Sequence, residues 1–214
     1  MPDEQVQRLE GRIVALEREL ADLRQSMSQP MQTARIERYR KRWNCGNLTM
    51  KGDIRCMVPV LFLGEGSISI GANVLFGWNR DPFFFDGGYI LIDARNNAHI
   101  EIGDDVTINN NCAIIAEGEG VSIGTRSMIG WSVEIFDSDF HDLHPARRRS
   151  GVSVTRKVTL GQNTLIGAHS VILKGSRIGD DAVIGHGSLV SGEIPPRVVA
   201  AGRPARTIRQ ISGA

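Results

Sequence analysis

Leu160, Ile166, Ile172, Ile178, Ile184 and Val190 recur at a strict spacing of six, and Gly161, Gly167, Gly179 and Gly185 directly follow four of them. Neither the helix period of about 3.6 nor strands joined by helices produces this pattern, so the chain must turn a corner after every short strand. Three corners close one triangular coil. The same phase shows as Ile102, Ile108 and Ile114, as Ile123, Ile129 and Ile135, and more faintly as Ile70 and Phe76. Stacked coils are therefore expected over residues 64–202.

Each aliphatic residue should face a prism interior and lie against its equivalent eighteen positions away, Ile166 on Ile184 and Leu160 on Ile178. The glycines and the Asn and Asp residues of L-G-Q-N, I-G-A-H and I-G-D-D are expected to supply the corners, because they tolerate turn conformations that branched residues resist.

With 214 residues, 41% hydrophobic and 23% charged, the chain can bury one sizeable core, and a net charge of +1 argues against a nucleic-acid platform. No apolar run reaches membrane-spanning length and residues 1–29 are rich in charge, so a cytoplasmic protein is expected. Cys45, Cys56 and Cys112 are odd in number and lack CxxC spacing, which disfavours a disulfide framework or a zinc site. Cys112 falls where the repeat wants a small residue, which points to packing.

Val6, Leu9, Ile13, Leu16, Leu20, Leu23 and Met27 alternate spacings of three and four, the seam of a coiled coil over residues 1–29. With Val6 at position a, Arg12 and Glu19 fall at g and Glu17 and Arg24 at e, so a parallel assembly pairs opposite charges. Pro30 ends the seam. Arg35, Arg38, Arg40, Lys41 and Arg42 then make residues 30–63 a basic linker and entry segment, suited to peripheral contact with anionic lipid or a glycan carrier, or simply a solvated helix bridging stalk and prism.

The run from Lys157 to Ile211, which includes L-G-Q-N-T-L-I-G-A-H, R-I-G-D-D-A-V-I-G-H-G and A-A-G-R-P-A-R, resembles the hexapeptide-repeat acyltransferases, particularly their maltose and galactoside O-acetyltransferase branch. The resemblance implies an all-β, left-handed parallel β-helix that works as a homotrimer with acetyl-CoA. Here that β-helix would be preceded by the coiled coil and followed by a tail at 203–214.

The repeat fails between Phe136 and Lys157, so residues 136–157 must leave the prism as a loop, and they hold two of the five histidines. Loops held on a rigid scaffold are where catalytic groups tend to sit. Acetyl transfer to a hydroxyl needs a base, and neutral imidazole suits that task near pH 7. His141, six after Ile135, stands where the resembling branch carries its catalytic histidine. Asp137, Asp139, Asp142 or a backbone carbonyl could orient it. H-x-x-H lacks further ligands at supporting spacing, so no metal is expected.

By the same resemblance Asn111 and His144 serve the acceptor, while Gly167, Ala168, Gly185, His186 and Ser191 line the pantetheine arm and Arg206 and Arg209 meet phosphate. Leu165 and Gly192 depart from the branch, standing for its usual tryptophan and lysine. Arg147, Arg148 and Arg149 suit either the diphosphate of a carrier-linked sugar or an ordinary charged loop tip. The expected activity is O-acetylation of a sugar hydroxyl in glycan or polysaccharide assembly. N-acetylation of a nucleotide-linked amino sugar, and a non-catalytic trimeric scaffold, are the alternatives.

Overall fold

A computed structural model describes residues 7, 10–19, 33–78 and 88–212. Short strands wind into a parallel β-helix with three faces. The first face stacks Ser67–Ile70, His99–Ile102, Val121–Ile123, Val158–Leu160, Arg177–Ile178 and Glu193–Ile194. The second stacks Leu75–Phe76, Thr107–Ile108, Met128–Ile129, Leu165–Ile166, Val183–Ile184 and Val198–Gly202, the last of which pairs antiparallel with Ala205–Gln210. The third stacks Val60–Leu63, Ile90–Ala94, Ala113–Ala116, Glu134–Phe136, Val171–Ile172 and Leu189–Val190.

The registers are those the spacing predicts. Leu160 lies beside Ile178, and Ile166 beside Ile184. Ile102, Ile108, Ile114, Ile135, Ile166, Ile172 and their equivalents are almost wholly buried in one continuous core. Each contributes on the order of 1.5–3 kcal/mol by leaving water. Toward the N-terminal end the filling becomes aromatic. Trp43 meets the Phe62 ring edge-on at 4.7 Å and donates its indole N–H to the Val60 carbonyl at 2.9 Å, so it closes the open mouth of the prism.

The corners follow the expectation for Asn and Asp but not for the glycines. Asn73, Asp105, Arg126, Asn163, Asp181 and Arg197, each three residues past a core aliphatic of the first face, all have positive φ. Asn111, Ser132, His169 and Gly187 repeat this between the second and third faces. Asn and Asp accept that conformation readily. Their side chains also bond from coil to coil: Asn163 Nδ2 donates to Asp181 Oδ1 at 2.7 Å, and Asn73 Nδ2 to Asp105 Oδ1 at 3.1 Å.

The glycines after the core aliphatics answer to a different constraint. Gly161, Gly167 and Gly179 have no positive φ. A Cβ at Gly167 would lie 2.5 Å from the His186 nitrogen, and one at Gly179 would lie 2.4 Å from the Pro196 nitrogen. Close approach of the next coil excludes a side chain there.

Residues 10–19 and 33–40 are helical. Ile13 and Leu16 of the expected coiled-coil seam are exposed on the first of these, while Val6, Leu9, Leu20, Leu23 and Met27 lie outside the described residues. The second helix carries most of the basic stretch and rests on the prism, with the Arg35 guanidinium donating to the Gly88 carbonyl at 3.1 Å and Tyr39 packing 5.2 Å from Tyr89. Among the described residues no helix is long and apolar enough to cross a membrane.

Candidate active site

The excursion leaves the third face after Phe136 and returns to the first face at Val158. It is fastened along its length rather than loose. Asp137 is fully buried and its carboxylate accepts three backbone N–H bonds, from Glu117 at 2.7 Å, Gly118 at 3.0 Å and Gly120 at 2.7 Å. Asp139 pairs with Lys174 at 2.9 Å. Asp142 accepts from the His144 N–H at 2.7 Å and from Arg147 Nε at 2.8 Å. The three aspartates are thus engaged in holding the loop, and the His141 charge is among those that lower the Glu117 carboxyl.

Glu117 sits on the turn that Asp137 clamps. It accepts from the hydroxyls of Ser138 and Ser153, the latter at 2.6 Å. Desolvation pushes its carboxyl up, but the two hydroxyl bonds and the Arg95 and His141 charges outweigh this and hold it below the ordinary value. Its chain position carries no repeat signal, so sequence reading missed it.

Phe140, immediately before His141, adopts φ of 61°. For a bulky residue this is an uncommon backbone that surrounding structure must impose. Three contacts do so: its N–H donates to Ser138 Oγ at 2.8 Å, its ring packs 5.3 Å from Phe136, and the Arg95 guanidinium lies 5.3 Å over the ring. His141 itself is exposed and lines an open hollow with Pro145, Ala146, Arg148 and Arg149. His144 caps the short 3₁₀ turn Pro145–Arg147, accepting from the Ala146 N–H at 3.3 Å.

The other expected site residues divide between two corners. Asn111, Gly167, Ala168, Gly185 and His186 follow the second-face strands and lie at the corner between the second and third faces. His141 and His144 project from the corner between the third and first faces. Ser191 shares that corner, one coil beyond Lys174 and its neighbour Leu173. Arg206 and Arg209 are exposed on the antiparallel strand at the end of the second face. One protomer therefore does not gather them around a single point.

Asn111 is exposed at a positive-φ corner, and a Cβ on Gly88 would collide with its amide. Asn110, by contrast, is buried and spent on the backbone of Trp78, from which its Oδ1 accepts at 2.7 Å. His186 belongs to a cluster of three rings: it packs 5.3 Å from His169 and 6.4 Å from Trp131, whose indole donates to His169 Nε2 at 3.0 Å. At Gly192 the backbone φ is 133°, which a lysine would rarely adopt. Cys112 is buried and donates to the Gly130 carbonyl at 3.1 Å. Burial pushes its thiol up to about 12, which removes it as a nucleophile. Among the described residues no group of three or more His, Cys, Asp or Glu side chains could hold a metal ion.

Residues 157–192 match the family model described as the bacterial transferase hexapeptide, six repeats. The galactoside O-acetyltransferase of Escherichia coli strain K12 is 36% identical over 144 residues, 67% of this chain and 64% of that protein. The chain belongs to the hexapeptide-repeat family. Its fold is the left-handed parallel β-helix that the family resemblance implied. The galactoside O-acetyltransferase of Lactococcus lactis is 34% identical over 114 residues, 53% of this hexapeptide-repeat chain and 54% of its relative. The chain thus spans less than two thirds of the length of either enzyme.

Two solved structures share the fold. The polySia-specific acetyltransferase NeuO is 25% identical with a TM-score of 0.56, over 78% of this hexapeptide-repeat chain and 84% of that one. A mutant of AntD, an N-acyltransferase from Bacillus cereus, was solved with dTDP-4-amino-4,6-dideoxyglucose and coenzyme A. It is 20% identical with a TM-score of 0.59, over 83% of this chain and 89% of that one.

Proposed function

We propose that this chain transfers acetyl from acetyl-CoA to a sugar hydroxyl, with His141 as general base. The observation that carries the reading is the bracing of the excursion. Buried Asp137, the Lys174 pair and the Glu117 hydroxyl bonds together present one exposed imidazole at the mouth of a hollow. The galactoside O-acetyltransferase of Escherichia coli supports an oxygen acceptor.

Acetyl-CoA, when bound, supplies a thioester carbonyl open to attack by a hydroxyl. His141 takes the hydroxyl proton as the oxygen bonds to the acetyl carbon, the Glu117 charge favours the imidazolium that forms, and the imidazolium gives the proton to the coenzyme A thiolate as the carbon–sulfur bond breaks. Gly167 and Gly185 leave bare backbone along their corner, His186 and Ser191 offer ring and hydroxyl, and exposed Arg206 and Arg209 suit phosphate. Asn111, exposed at its corner, carries an amide fit to donate to and accept from a sugar hydroxyl. An enzyme dependent on acetyl-CoA in this way would work in the cytoplasm.

Because these groups sit at two corners of the third face, a complete site needs the loop corner of one copy set against the other corner of a second copy. The outer surface supports that arrangement. Met128, Leu165, Val183 and Val199 form an outward apolar stripe on the second face, separated from Leu75 by Thr107, with Met128 56% and Leu165 43% exposed, whereas Ser69, Glu101, Ser122, Thr159, Arg177 and Glu193 make the first face polar. A homotrimer closes such contacts by rotation.

Incubation with labelled acetyl-CoA and a panel of sugars, with alkali treatment of the product, tests the chemistry. An alkali-labile ester is expected; an alkali-stable amide would make the acceptor an amine, and no transfer to any sugar would sink the reading. Light scattering should return three chains per particle.

A further inference from the structure

The hollow beside His141 has walls of one charge. Arg148 and Arg149 line it together with His141, Pro145 and Ala146. Every carboxylate of the excursion is already engaged: Asp137 by backbone N–H groups, Asp139 by Lys174, and Asp142 by Arg147. Glu117, which the excursion folds onto, is held by two serines. Among the described residues no carboxylate pairs with Arg148 or Arg149. Arg148 makes only a long bond, 3.4 Å, to the Leu143 carbonyl.

The tip that carries these arginines is a built turn. The Arg147 N–H donates to the His144 carbonyl at 3.0 Å, while the Ser150 and Gly151 N–H groups return to the Arg147 carbonyl at 3.1 and 2.6 Å. A loop arginine that serves solubility alone has no reason to line the cavity that also holds the base. Of three arginines in a row, the first pairs with Asp142 and the next two line the hollow that His141 also lines, which gives it cationic side chains and no acidic one. Guanidinium groups recognise oxyanions with paired N–H bonds.

We propose that the acceptor is anionic: it carries a carboxylate or a phosphate near the hydroxyl to be acetylated, and Arg148 and Arg149 hold that oxyanion. The inference rests on reading the hollow beside His141 as the acceptor pocket. It narrows the substrate class from sugars in general to uronates, other sugar acids and sugar phosphates. It also assigns these two arginines to the acceptor and not to the phosphates of coenzyme A.

Isothermal titration of the full chain with galactose, galacturonate and galactose 1-phosphate tests it, using the Arg148→Ala, Arg149→Ala double variant alongside wild type. Wild type should bind at least one of the two anions roughly tenfold or more tighter than galactose. Which anion binds tighter separates a carboxylate from a phosphate acceptor. The preference should vanish in the double variant and shrink between about 50 and about 300 mM salt, while coenzyme A affinity stays unchanged. Equal affinity for all three sugars, or no binding of either anion above galactose, overturns the proposal. So does a variant that loses coenzyme A affinity and keeps the anion preference. The His141→Ala protein separates the two claims, because it should keep the anion preference while losing transfer. Full transfer by that protein refutes the base and leaves the arginine assignment standing.

Discussion

The Ser153 hydroxyl donates to the Glu117 carboxylate at 2.6 Å, tying the far limb of the excursion to the coil just before it. Ser138, on the near limb, donates to the same carboxylate oxygen, and Ser138 and Thr155 form an antiparallel bridge. One acidic side chain thus gathers both limbs. Glu117→Ala should keep the β-helix intact yet loosen the loop, with faster amide exchange over 138–153 and a fall in kcat of about tenfold or more. Unchanged exchange would show that the bridge alone holds the loop. The pH dependence has a defined sign: because the Glu117 carboxyl is depressed, its contribution is complete above the ordinary value of 4.5 and is lost as pH falls through the depressed value. Loop protection relative to intrinsic exchange should therefore fall on acidification below that point, and by less in Glu117→Ala, where only the aspartate contacts remain to be lost.

His141 is exposed and makes no packing contribution to the core. His141→Ala should unfold at the wild-type temperature and lose about 10²- to 10⁴-fold in acetyl transfer, the range of a general base. Steady-state rates beside a thermal melt decide this, and a drop in melting temperature that matches the loss of rate would assign the residue a structural role instead.

The two glycine roles separate by substitution. Gly167→Ala drives a methyl onto the His186 nitrogen, whereas Gly187, with φ of 69° and nothing within 4 Å, occupies a corner type that Asn111 fills elsewhere. Gly187→Asn should leave the melting temperature nearly unchanged. Gly167→Ala should lower it by several degrees, since each kcal/mol shifts a chain of this size by about 2–4 °C. Equal melting temperatures for the two variants would refute the close-approach explanation.

Cys112 and Cys56 should resist alkylation in the native protein at pH 8, because burial pushes their thiols up to about 12 and about 11 and leaves almost no thiolate. Mass spectrometry before and after denaturation measures the protection. Rapid labelling of Cys112 in the folded state would mean that the coil around it opens.

Much of this fold was legible from spacing. A period of six puts an aliphatic side chain on the inside of every face, and side-chain direction in a strand is a local property, so Leu160 on Ile178 and Ile166 on Ile184 could be read before any coordinates. The place where the period fails marked the excursion for the same reason, while His141 within it was singled out by resemblance to the family. The corner glycines were legible as positions but not in their cause, since what excludes a side chain at Gly167 is the backbone of the following coil.

The role of Glu117 in holding the loop was out of reach of the sequence. Asp137, Asp139 and Asp142 are close to His141 along the chain, but Asp137 and Asp139 bond to other coils, Asp142 is taken up inside the loop by His144 and Arg147, and Glu117, some twenty residues earlier, meets the loop only because the coils stack. Likewise no spacing shows that His186 joins Trp131 and His169, or that Asn111 and His141 stand at opposite corners of one face. Period, core and loop follow from what each residue does to its own strand and turn, and those the sequence determines alone. Which charge meets which is set by contacts between coils whose separation along the chain varies with every insertion, and only the tertiary structure decides it.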